Sequence, residues 1–101
     1  MKRLRELTEE QAREICAILG EPFLSYMVND DSKWDQLQLE VQIQTTSTLN
    51  GDSDDSCIWI RNTGEIQLHR NNGNWGGSRY EPINTYPVIM YLLENDYVFE
   101  P

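Results

Sequence analysis

The chain has 101 residues, 39% of them hydrophobic, and a formal net charge of −9. That is enough sequence for one domain, residues 1–101, and for a core that forms without metals or disulfides. A mean hydropathy of −0.62 and no apolar run near the roughly 18–20 residues of a bilayer span predict a soluble, non-membrane chain. The basic start, MKRLRELTEEQ, leads into no apolar stretch and does not read as a secretory signal. The acidity is uneven: residues 21–60 carry eight acids against Lys33 alone, whereas in residues 1–20 four acids and four bases cancel. Nucleic-acid binding requires clustered Lys and Arg to displace counterions from phosphates, and no such cluster exists, so direct nucleic-acid binding is not expected. Cys16 and Cys57 match no C-x-x-C or metal spacing, which predicts free thiols and a cytoplasmic location.

Thr8-Glu9-Glu10-Gln11 has the form of a capping box, with Thr8 as N-cap and Gln11 as its reciprocal partner. Ala12, Ile15, Cys16 and Leu19 then share one helical stripe, and Gly20 and Pro22 end it, predicting a helix over 8–19. Residues 22–29, PFLSYMVN, read either as a short helix opened by Pro22 and burying Phe23, Tyr26 and Met27, or as a strand; the helix is favoured. Asn29-Asp30-Asp31-Ser32 reads as a turn. From Gln36 the period changes to two: Leu37, Leu39, Val41 and Ile43 alternate with Gln38, Glu40, Gln42 and Gln44, predicting a strand with a solvated glutamine face. Thr45 to Leu49 extend it toward the acidic turn 50–55.

Asn62-Thr63-Gly64 has the composition of a three-residue hairpin loop with glycine in the left-handed position. That loop pairs Arg61 with Glu65 and fixes the register. Ile60 and Ile58 face Ile66 and Leu68, while Trp59/Gln67 and Cys57/His69 fall on the other face. Residues 70–81 follow as a glycine-rich loop, then Asn84 or Thr85 caps a helix with Pro87 in its first turn. Val88 to Leu93 are apolar nearly all round, which predicts burial on more than one side, by the sheet and first helix or by a partner chain. Tyr97-Val98-Phe99 returns as a short strand or extended tail. The fold class this predicts is α+β: a small antiparallel sheet of three to four strands, with an N-terminal and a C-terminal helix packed on one face.

Motifs for hydrolysis, nucleophilic catalysis and phosphate cradling are missing, and one histidine does not make a His-rich zinc site. No catalytic residue, metal or cofactor is therefore assigned. The hairpin register sets Cys57 beside His69, the pairing that activates thiol nucleophiles, but no oxyanion-hole signature accompanies it; an incidental cross-strand pair is the better reading. Asp52, Asp54 and Ser56 superficially match calcium-loop ligands, yet Cys57 stands where that loop needs glycine and Thr63 where it needs glutamate. The loop 70–81 combines Gly73, Gly76 and Gly77 with arginines and aromatics suited to planar or anionic groups. With the hairpin face it supplies the candidate partner contacts: Trp59, Arg61, Arg70, Trp75, Arg79 and Tyr80. A structural crossing pinned by Trp75 and Tyr80 is the competing account of that loop.

The order of capped helix, strands and a closing helix YPVIMYLLENDY with a strand-like tail, on a short acidic chain, resembles small uncharacterised α+β proteins of bacterial phages and mobile elements. The resemblance implies no activity and assigns no residue; it adds slight weight to a host-directed inhibitor or accessory protein. The expected function is a non-enzymatic protein-interaction domain, binding a protein partner or itself. Its alternatives are an acidic nucleic-acid mimic that inhibits a DNA-binding protein, motivated by residues 21–60, and small-ligand binding at 70–81.

Overall fold

The computed structural model describes residues 1–29, 39–46, 55–71 and 78–99, apart from the side chains of Thr46, Asp55, Asn71, Ser78 and Arg79. The elements are β1 (Lys2–Arg3), a 3-10 turn (Leu4–Glu6), α1 (Glu9–Leu19), β2 (Ser25–Val28), β3 (Leu39–Thr46), β4 (Asp55–Arg61), β5 (Ile66–Asn71), β6 (Ser78–Glu81), α2 (Tyr86–Glu94) and β7 (Tyr97–Val98). Most of the turn read at 29–32, the strand residue Leu37 and most of the acidic turn lie outside the described residues.

The class is α+β, with a five-stranded antiparallel sheet in the order β2-β3-β4-β5-β6 and two helices. Ala12, Ile15 and Cys16 of α1 and Val88 and Leu92 of α2 join one core with Val41, Ile43, Ile58, Ile60, Ile66 and Leu68, so both helices cover the same sheet face. α1 begins and ends on local chemistry. Thr8 Oγ1 accepts from the Gln11 amide at 3.2 Å, Gln11 Oε1 accepts from the Thr8 amide at 3.4 Å, and Gly20 takes the left-handed conformation, φ 71°.

The sheet is wider than the three to four strands expected, because both edge strands lacked a sequence signal. The segment favoured as a helix forms β2 instead: Ser25–Val28 pairs antiparallel with β3, from Ser25 opposite Gln44 to Val28 opposite Val41. Tyr26 and Val28 pack against the core while Met27 stays 47% exposed. The open backbone edge of β3 offered hydrogen bonds that an isolated helical turn could not match. Likewise the segment read as a loop folds back as β6, pairing Leu68 with Glu81 through Asn71 with Ser78.

The central hairpin has the register that its loop composition specifies. Ile60 pairs with Ile66, Ile58 with Leu68, Trp59 with Gln67 and Cys57 with His69, with Gly64 at φ 94° in the turn. β3 departs from simple alternation. A bulge between Leu39 and Val41 sets Leu39 opposite Arg61 and leaves Glu40 unpaired in the ladder. Leu39 is buried yet lies outside the main core cluster, and Glu40, read as part of a solvated face, is buried and ion-paired to Arg5 at 3.4 Å.

The tail forms a strand after all: β7 pairs in parallel with β1, and Tyr97 is 1% exposed. α2 is less enclosed than an all-round apolar sequence suggests. Val88 and Leu92 are fully buried and Ile89 and Tyr91 pack against the core, whereas Tyr86 is 65% and Leu93 48% exposed. No helix among the described residues is long and apolar enough to cross a membrane.

Candidate functional site

With both helices on one side, the opposite face of the sheet is covered by no described helix or strand. Alternation along each strand decides what that face carries. The register lines up Met27, Gln42, Trp59 and Gln67 across four strands, and beside them Gln44, Cys57, His69 and Tyr80. The aromatic members form one cluster. The His69 ring stacks on Trp59 with centroids 5.0 Å apart and planes inclined by 29°. Tyr80 meets Trp59 edge-on at 6.1 Å and His69 at 5.3 Å. Such offset and edge-to-face pairs contribute about 0.5–1.5 kcal/mol each beyond area burial.

Arg61 closes the cluster at the hairpin end. Its guanidinium carbon lies 5.8 Å from the Trp59 ring centroid, its Nη2 donates to Gln67 Oε1 at 2.9 Å, and its Nε lies 3.4 Å from Glu65 Oε2. Gln42 Nε2 reaches Cys57 Sγ at 3.8 Å. Trp59 is half-buried with its indole N–H enclosed and without a hydrogen-bond partner. A buried, unmatched donor costs about 1–3 kcal/mol, which the ring contacts with His69 and Tyr80 offset in part.

The six candidate contacts therefore separate. Trp59, Arg61 and Tyr80 come together on the open face, joined by His69, which by sequence alone is no more than a cross-strand neighbour of Cys57. Trp75 lies outside the described residues, and Arg79 is placed only by its backbone, opposite Arg70. Arg70 is an internal anchor. It is 8% exposed; its Nε donates to Glu81 Oε2 at 2.8 Å, its Nη1 to Glu21 Oε1 at 3.0 Å and Ser56 Oγ at 3.2 Å, and its Nη2 to Glu21 Oε2 at 3.2 Å. Burial pulls its pKa down, but the hydrogen bonds and charges of Glu21 and Glu81 outweigh that and hold it above its ordinary value.

The same network bears on the acidic segment. Of the eight carboxylates in residues 21–60, Glu21 serves Arg70 and Glu40 serves Arg5, so neither belongs to a free phosphate-like ridge. Asp55 is described only by its backbone in β4, and the remaining five lie outside the described residues.

Elsewhere, a cleft of about 340 Å³ between the helices is lined by Thr8, Glu10, Gln11, Glu14, Tyr91 and Asn95. Two of its polar side chains are engaged: the Tyr91 hydroxyl donates to Glu14, and Gln11 accepts from the hydroxyl of nearby Tyr97. Burial first, and the Glu14 carboxylate second, push the Tyr91 phenol well up. No group of three or more His, Cys, Asp or Glu among the described residues is arranged to hold a metal ion.

Comparison with family models, with curated proteins and with solved structures finds no match. The geometry of the open face therefore carries the functional argument.

Proposed function

We propose that the chain is a non-enzymatic protein-interaction domain, accessory or regulatory in role, which binds through the open face of its sheet. One observation carries the reading: the Trp59–His69–Tyr80 cluster, flanked by Arg61, sits on a face that no described helix or strand covers. Tryptophan, tyrosine and arginine supply large contact areas and directed hydrogen bonds, and they dominate the energetics of protein interfaces. The flanking glutamines are neutral donors and acceptors that suit a partner's backbone or amides.

Tyr80 is the residue to change, because at 51% exposure its replacement leaves the core intact. Affinity capture from the native host should retain a protein on the wild-type chain and lose at least nine-tenths of it on Tyr80→Glu. Melting curves would confirm that the variant is folded. Equal capture by both chains would remove the open face from the interaction.

A further inference from the structure

We infer that the fold holds one structural water where the β3 bulge meets the hairpin turn, bound between Glu40 Oε2 and Asn62 Oδ1. The site shares no residue with the Trp59–His69–Tyr80 cluster, so it stands or falls independently of the interaction reading.

The bulge creates the need for it. Pairing with β4 shifts between Leu39 and Val41, and Glu40 drops out of the ladder. The Glu40 side chain is only 8% exposed, and its Oε1 lies 3.4 Å from the Arg5 guanidinium. Its Oε2 is enclosed and has no hydrogen-bond partner among the described residues. The same is true of Asn62 Oδ1, in the turn of the β4–β5 hairpin. Enclosed acceptors without donors oppose folding, and a buried carboxylate oxygen does so most strongly.

Size and chemistry select the ligand. Glu40 and Asn62 line one cavity of about 10 Å³, whose remaining wall is Arg3, Leu4 and Val98. That is room for a single water, which stays in a protein interior when it has two to four polar partners. Both orphaned atoms are acceptors, and a water donates twice, so one molecule satisfies both. A metal ion fits less well. Calcium takes roughly 6–8 oxygens and magnesium about six, whereas these two side chains offer one orphaned oxygen each. The Glu40 charge is also already matched by Arg5, and Arg3 stands at the wall, so a further cation meets net positive charge. Held there, the water ties the hairpin turn to the bulge and, through the Glu40–Arg5 pair, to the 3-10 turn.

A high-resolution crystal structure of the full chain tests the inference. It should show an ordered water, near full occupancy, about 2.5–3.0 Å from both Glu40 Oε2 and Asn62 Oδ1. In Asn62→Leu, which removes one acceptor and puts an apolar group at the wall, that water should be lost. Two wild-type results overturn the inference: no water between the two oxygens, or an Asn62 amide turned so that its nitrogen donates straight to Glu40. Persistence of the water in Asn62→Leu overturns it as well, because Asn62 would then not hold it. Crystals grown in rubidium chloride separate water from a monovalent cation, and an anomalous peak at the site would sink the assignment. Should Asn62→Leu fail to fold, the wild-type and rubidium crystals still decide.

Discussion

Cys16 shows how far a single buried group couples the stability of the chain to pH. It is 1% exposed, and burial first, with the negative charge of Glu21 second and Arg13 opposing, pushes its thiol from 9.0 up to about 11. The unfolded chain releases this proton near pH 9, while the folded chain keeps it to about pH 11. The folded state therefore binds more protons between those values, and stability falls as pH rises through that window. The thiol's contribution is intact below pH 9, and at pH 10.5 about 2 kcal/mol of it is gone. Urea unfolding at pH 8 and pH 10.5 should show that loss in the wild type and its absence in Cys16→Ala. The tyrosine phenols of Tyr91 and Tyr97, also raised by burial, act equally in both proteins. Parallel pH dependence in the two would mean that Cys16 ionises as freely folded as unfolded. The place of Cys16 was legible in the sequence, because it shares the stripe of Ala12, Ile15 and Leu19. What surrounds the thiol was not, since Glu21 arrives beside it only after Gly20 turns the chain.

Among the elements, the β4–β5 hairpin is specified most locally, and its turn can be tested by one substitution. Gly64 sits at φ 94°, and a β-carbon there would approach the Phe99 ring at 3.3 Å. Gly64→Ala meets both a backbone conformation that side chains disfavour and that ring, so a loss of about 1–2 kcal/mol is expected. Equilibrium unfolding measures it, and a variant as stable as wild type would show that the turn relaxes freely. Loop composition and apolar alternation agree on one register here, since a slip by one residue would split four isoleucine and leucine side chains between faces. β2 and β6 had no such agreement. SYMV fits a helical turn as well as a strand by spacing, and SRYE contains one apolar residue. Both became strands because an edge was available, at β3 for one and at β5 for the other. The bulge at Glu40 was hidden for a related reason: the alternation of Leu39, Val41 and Ile43 runs unbroken in sequence, and only pairing with β4 shows that Leu39 changes face.

For the whole molecule, Arg70 does what no local pattern does, joining the segment after α1, strand β4 and edge strand β6 through Glu21, Ser56 and Glu81. Arg70→Met should cost about 2–3 kcal/mol, because it leaves two partly buried carboxylates without a counter-charge. Adding Glu21→Gln and Glu81→Gln should recover most of that, since the penalty lies in the orphaned charge more than in the lost contacts. Denaturation midpoints of the single and triple variants decide it; a triple variant no better than Arg70→Met would show that the geometry of the network matters beyond its charge. By itself the sequence determined the α+β class, the first helix with its caps, the central hairpin and its register, and the lack of any recognised catalytic motif. All of these rest on interactions within a few residues or on strict periodicity. Only the tertiary structure decided the two edge strands, the bulge, the role of Arg70 and the gathering of Trp59, His69 and Tyr80 with Arg61. Each depends on partners distant in the chain, and neither the free edge of a strand nor a sheet face that no described helix or strand covers exists until the other elements have packed.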